Sequence, residues 1–246
     1  MLCLFTFARN KVLEYDEAPG LRPGMKTVGR RLNTFLGYVT NGLYENYTDV
    51  EESPTSTLGN IAISPGDIKY VDQPDANGNY DGRITSDDRV EIGDPWIPEI
   101  VYGFGPSMRW KNWDFSFFFQ GQTNVSLIME NFEPFGERSA RGVLAWIADD
   151  YWSPDYPNVN AKHPRLTRLT NNHNMQVSTY WLRDASFLKL KNVELGYSYK
   201  KARFYISGSN LLTISPFKHW DPEVGTGAGM QYPTQRIFNL GIQMSF

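Results

Sequence analysis

Phe238-Asn-Leu-Gly-Ile-Gln-Met-Ser-Phe246 is the stretch that decides the fold. Phe238, Leu240, Ile242, Met244 and Phe246 are apolar, whereas Asn239, Gly241, Gln243 and Ser245 are small or polar. The period is two, so the element is a strand with unlike faces. The same pattern recurs upstream. Within 101–110, Tyr102, Phe104, Met108 and Trp110 fall on one side, opposite Val101, Gly103, Gly105, Ser107 and Arg109. Past Lys111-Asn112, Trp113, Phe115, Phe117 and Phe119 alternate with Asp114, Ser116, Phe118 and Gln120. A two-residue connection predicts a tight hairpin. A second hairpin is expected around Lys200-Lys201: Val193, Leu195, Tyr197 and Tyr199 lead in, and Phe204 and Ile206 lead out. Helical patterning is scarce, the best candidate being two turns within 144–152.

The 246 residues include 15 Phe, 14 Tyr and 7 Trp, a composition that is globular rather than disordered. No run approaches roughly 18 consecutive apolar residues, which excludes a helical membrane span but not a membrane β-barrel, whose strands are short and half polar. With a net charge of −3 and no long basic run, nucleic acid is excluded as a partner. Cys3 is alone, so neither a disulfide framework nor a thiolate zinc site can form within the chain. Residues 1–10 lack the regions of a signal peptide, so export would need an address upstream.

Connection lengths sharpen the all-β reading. Lys111-Asn112 is short, 121–187 long, Lys200-Lys201 short and 213–235 long. Short turns at one end and long loops at the other are expected of an antiparallel outer-membrane barrel. The competing reading is a soluble sandwich or barrel in which the apolar face is core. Gly, Ser, Asn, Gln, Glu and Arg on the second face suit a wet lumen. A last strand finishing on Phe246 resembles the signal read by the barrel-assembly machinery.

Several motifs then stand in a familiar order. They include Asn10-Lys-Val-Leu-Glu-Tyr15, Pro65-Gly-Asp-Ile-Lys-Tyr70, Asp81-Gly-Arg-Ile84 and Pro98-Glu-Ile-Val-Tyr-Gly-Phe104. Trp152-Ser-Pro-Asp155, Trp181-Leu-Arg-Asp184, Ser207-Gly-Ser-Asn-Leu-Leu212 and Trp220-Asp-Pro-Glu223 follow. Over nearly its whole length the chain resembles the SusC/RagA-type TonB-linked outer-membrane proteins of Bacteroidota. That resemblance implies a transmembrane β-barrel of about 22 strands with a plugged lumen and long extracellular loops. Residues 1–246 are then expected to be the C-terminal portion of the barrel, with plug, N-terminal accessory domain and signal peptide absent, as in a fragment or truncated gene. The implied activity is import without chemistry across the bacterial outer membrane. A SusD-like lipoprotein closes over an oligosaccharide, or in some members a peptide, and TonB pulls on the plug.

Candidate sites follow from spacing. Asn77-Gly-Asn79-Tyr-Asp81-Gly-Arg83-Ile-Thr-Ser-Asp-Asp88 matches a calcium loop with ligands Asn77, Asn79, Asp81, Arg83 and Asp88 and a Gly at the sharp turn. A Ca2+ ion and a plain turn-rich loop are the two readings, and Asp72 and Asp75 add charge nearby. Trp146, Trp152, Trp181 and Trp220, with Tyr151, sit where they either stack on sugar faces or pack the loops together. His163, His173 and His219 lack metal-motif spacing, and 225–229 lacks phosphate-loop spacing. No catalytic residues are expected and no cofactor is required, so the chain is not read as an enzyme. Two alternatives stay open: a soluble secreted carbohydrate-binding β domain with a dockerin-like calcium loop, and an outer-membrane protein with a purely structural role.

Overall fold

The structure is a computed structural model that describes residues 2–130 and 143–245. It forms two units, one of Met1–Asn10, Asp94–Leu127 and Arg183–Phe246, the other of Lys11–Gly93 and Ile128–Leu182. Among the described residues no helix is long and apolar enough to cross a membrane.

The first unit is a wall. Its strands are β1 (Leu2–Phe7), β2 (Ile100–Gly105), β3 (Ser107–Trp110), β4 (Trp113–Thr123), β5 (Phe187–Tyr199), β6 (Ala202–Ile214) and β7 (Ile237–Met244). They pair antiparallel in the order β1-β2-β4-β5-β6-β7, with β3 also on β4, so chain order is kept across the sheet. The segment 101–110, expected as one strand, is broken at Pro106, which has no N–H to give the ladder. Its alternation survives the break, because β2 and β3 both pair with β4.

Register lines the apolar side chains up in rows. Phe115, Leu195, Ile206 and Leu240 are successive partners across four strands, and so are Trp113, Tyr197, Phe204 and Ile242. Alternate positions put Asp114, Ser116, Glu194, Arg203, Ser207, Asn239 and Gln243 on the opposite face. Phe238, Leu240, Ile242 and Met244 of β7 are 70%, 85%, 61% and 66% exposed. Phe246 lies outside the described residues.

Both short turns hold a lysine in the left-handed region, Lys111 at φ 54° and Lys200 at φ 53°. Each ammonium sits over the ring just before it, 4.8 Å from Trp110 and 5.4 Å from Tyr199. β5 and β6 are longer than the alternation suggested, 13 residues each. At about 3.4 Å per residue and about 45° tilt, such a strand rises about 30 Å, the thickness of a bilayer core.

The second unit has an interior of its own. Its strands are short: Phe35–Gly37 pairs with Val90–Ile92, Thr40–Leu43 with Ile68–Tyr70, and Thr55–Ser56 runs parallel to Arg83–Ile84. Tyr44, Ile68, Tyr70, Ile84 and Ile147 are almost fully buried. The helix expected within 144–152 is Ala145–Asp149, and a second one, Tyr47–Glu52, has no apolar face to announce it. It starts because the Asn46 side chain accepts the Asp49 N–H.

Candidate functional site

The polar face of the wall carries charge at both ends. Near the short turns, Arg203 donates from Nε to Asp114 Oδ1 at 3.0 Å and from its terminal nitrogens to Asp114, to Glu194 Oε1 at 2.5 Å and to Gln243 Oε1 at 3.3 Å. Gly196 permits this, since a Cβ there would lie 2.5 Å from both the Asp114 carboxylate and the Arg203 guanidinium. Toward the long connections, Lys189 on β5 is buried and donates to Asp221 at 2.7 and 2.8 Å and to Glu223. Lys191 Nζ reaches Glu223 Oε1 at 2.6 Å. Asp221 also caps the turn Pro222–Val224 by accepting the Glu223 N–H. Burial would raise the Asp221 and Glu223 carboxyls, but their lysine partners hold both below the usual range. This latch ties the loop after β6 to the strand wall.

In the second unit the centre is polar. Asp67, fully buried, accepts from Arg165 Nε at 2.7 Å, Asn171 Nδ2 at 2.9 Å, Asn174 Nδ2 at 2.8 Å and the Ser64 amide at 2.9 Å. Asn174 accepts the Ile68 amide, and its own carbonyl receives the Trp181 Nε1–H at 2.7 Å. The buried His173 ring has Nε2 at 2.7 Å from the Ile68 carbonyl, so Nε2 is the donor and Nδ1 accepts from the Ser56 hydroxyl at 3.0 Å. That is the neutral imidazole, and desolvation holds its pKa below the ordinary value. Beside it a recess of about 130 Å³ is lined by Met129, Met175, Val177 and Trp181, with Arg165 and Gln176 among its polar groups.

The loop expected to bind calcium brings only part of its ligand set together. Asn77 and Asn79 are exposed and give their N–H groups to Asp75 Oδ1, while Arg83 lies in the strand beside Thr55–Ser56. Asp81 and Asp88 do converge, on Arg22. Its guanidinium is 2.5 Å from Asp81 Oδ2, 2.7 Å from Asp88 Oδ1, 2.6 Å from the Gln73 carbonyl and 3.8 Å from Asp72 Oδ1. Asp72 is buried, and desolvation pushes its carboxyl pKa up despite the Gly82 amide that it accepts. Among the described residues no three His, Cys, Asp or Glu side chains are arranged to hold a metal ion. Arg22 lies dozens of residues from its partners, and no local spacing announces it.

The four tryptophans are all engaged in packing. Trp152 is 7% exposed and its ring lies against Gly66, where a Cβ would meet it at 2.3 Å. Gly66 also has φ 85°, so glycine is required twice over. Trp181 is equally buried, edge-on to Tyr180 and His163. Trp146 meets His163 at 6.1 Å. Trp220 stands edge-on to Phe217 at 4.5 Å and donates to the Gly225 carbonyl. Trp146 and Trp220 remain half-exposed.

Known proteins agree with this architecture. No family model matches the chain. TonB-dependent receptor P3 of Formosa agariphila is 28% identical over 98% of this chain and 26% of its own length. TonB-dependent receptor P26 of the same organism is 29% identical over 95% of this chain and 24% of its own length. TonB-dependent receptor SusC of Bacteroides thetaiotaomicron is 27% identical over 86% of this chain and 20% of its own. The chain therefore spans about a quarter of the length of the relatives it matches. Among solved structures, the RagAB peptide transporter superposes with a TM-score of 0.65 at 25% identity, over 89% of this chain and 23% of that one. The RagAB peptide importer in its closed-closed state gives 0.65 at 24%, covering 90% of this chain and 24% of that chain, a likeness of fold alone. In sequence and in fold the chain is a relative of the SusC/RagA-type TonB-dependent receptors, matching a segment of their β-barrel.

Proposed function

We infer that the chain supplies wall strands and outer loops to an outer-membrane, TonB-dependent importer of oligosaccharides or peptides that works with a SusD-like lipoprotein. The observation that carries the reading is the pair of faces on the wall. One face carries rows of Phe, Leu, Ile, Met and Trp that are half-exposed in the middle strands and exposed on β6 and β7, and the other holds paired charges and hydroxyls. A lipid-facing surface and a wet lumen need that division. A soluble sheet would need a second layer over its apolar face, and the described residues of this unit leave that face exposed. Asp67, Arg203 and Lys189 each stand in an ion pair that holds the fold together.

The test uses the intact receptor that carries this segment. Fractionation is expected to find it in the outer membrane, and uptake of a labelled oligosaccharide or peptide is expected to collapse when TonB is deleted. A receptor recovered in the soluble fraction, or uptake indifferent to TonB, overturns the reading. Co-purification with a lipoprotein tests the partner.

A further inference from the structure

Beside the Lys189 latch lies a cavity of about 260 Å³, bounded by Lys189, Thr213, Lys218, Trp220, Thr234 and Arg236. Lys189 is fully engaged with Asp221 and Glu223. Lys218 and Arg236 differ: both are exposed, and neither has an ion pair or side-chain hydrogen bond among the described residues. Around the latch four cations, Lys189, Lys191, Lys218 and Arg236, face two carboxylates, so the neighbourhood is positive within a chain whose net charge is −3.

The side of the sheet on which this happens matters. Lys189 and Thr213 are register partners, and their neighbours Leu188, Leu190, Leu212 and Ile214 point the other way. The cavity therefore opens off the polar face, not off the face that would meet lipid. Two cations with no partner among the described residues, beside a recess, favour a ligand bearing an anionic group, held by charge-assisted hydrogen bonds. The rest of the lining narrows the class. The half-exposed Trp220 indole, packed on Gly229 and Phe217, adds an apolar edge to the recess, and Thr213, with Thr234 whose hydroxyl also bonds Asp221, supplies partners for ring hydroxyls. A peptide carboxylate would use the cations but has no need of a ring-sized recess edged with hydroxyls. The volume lies just below the usual range for whole small-molecule pockets, as suits a single residue of a longer ligand.

Resting on the importer reading and on its oligosaccharide branch, the geometry points to this cavity as a subsite for an acidic sugar residue, one bearing a carboxylate or a sulfate ester. The Lys189 latch fixes the floor and positions the loop. Lys218 and Arg236 make the contact.

The experiment compares two probes of one backbone on the purified intact receptor: an oligogalacturonate and its fully methyl-esterified, uncharged counterpart, titrated calorimetrically. The acid form is expected to bind about tenfold more tightly, the scale of one hydrogen bond to a charged group. In the double variant Lys218→Gln with Arg236→Gln, the ratio of acid to ester affinity is expected to fall to about one. Using the ratio removes any general loss of folded receptor. Equal affinities in the wild-type receptor, or a ratio unmoved by the double variant, overturn the subsite while leaving the importer reading standing. Binding of a glutamate-rich peptide in place of both sugars overturns it as well and assigns the cations to a peptide. A variant that changes only adhesion to vesicles containing lipopolysaccharide assigns them to lipid phosphates and likewise overturns it. A receptor that takes up neither sugars nor peptides overturns the importer reading itself, and the subsite with it.

Discussion

The two units put the same kinds of residue to opposite uses. In the loop unit Ile68, Tyr70, Ile84 and Ile147 are sealed inside, and even its charged centre, Asp67, is hidden. In the wall unit Phe5, Phe204, Ile206, Phe238, Leu240 and Ile242 stand exposed, and most of the charges are half-covered on the other face. Burying apolar area drives folding in water at roughly 25 cal/mol per Å². The loop unit exploits that term within itself, whereas the wall leaves it to an apolar solvent. On the importer reading the chain is built for two media, a distinction that separates a barrel wall from a soluble sandwich more sharply than strand count does.

The contrast predicts unequal responses to substitution. Asp67→Ala strands the Arg165 guanidinium and two buried amides, and is expected to cost the loop unit about 3–5 kcal/mol. Limited proteolysis of the intact receptor checks it, with cleavage confined to loop residues while the wall stays protected. Leu240→Arg is the complementary test. At 85% exposure it is harmless on a soluble protein, but about 2–4 kcal/mol is expected where it meets the bilayer midplane. Unchanged assembly into the outer membrane would break the two-media picture. Gly66→Ala combines a left-handed backbone with a clash on Trp152, and about 1–3 kcal/mol is expected from overpacking, read as a drop in loop-unit melting temperature.

The smallest effect is a pH slope. His173 is buried neutral, and desolvation holds its folded-state pKa below the ordinary imidazole value of 6.5, so the unfolded chain takes up the proton first as pH falls. The stability it contributes is complete above about pH 6.5 and is lost as pH drops through the folded value. Melting of the loop unit between pH 7.5 and pH 5 is expected to fall more steeply than in His173→Gln. Parallel curves would show that the imidazole carries no such linkage.

What could be read from the residues alone follows the range of the forces involved. Alternation is a property of neighbours, so the rows through Phe115 and Leu240 and the turns at Lys111 and Lys200 were legible directly. The outer halves of β5 and β6 were not. Register shifts between Leu190 and Asn192, and Asn210 at φ 55° interrupts the matching stretch of β6. Past that irregularity Leu188, Leu190, Leu212 and Ile214 resume the apolar face, but no unbroken pattern leads to them. In the loop unit the strands are two to four residues long, too short for any period to show. Its organising contacts, Asp67 to Arg165 and Tyr70 to His173, join residues about a hundred positions apart. Trp152 and Trp181 illustrate the same limit, since only the fold shows that Gly66 and the Asn174 carbonyl receive them.

Arg22 among Asp72, Asp81 and Asp88 has a consequence for the medium in which the loop must keep its shape. A dissolved ion holds such a loop only while its concentration exceeds its dissociation constant, and a chelator can take it away. A guanidinium tethered to the same chain has an effective concentration fixed by the fold, in the manner of any linked partner. Arg22 thus supplies residues 72–88 with a counter-charge from within the same chain, and Arg22→Gln is expected to leave Asp72, Asp81 and Asp88 facing one another without it.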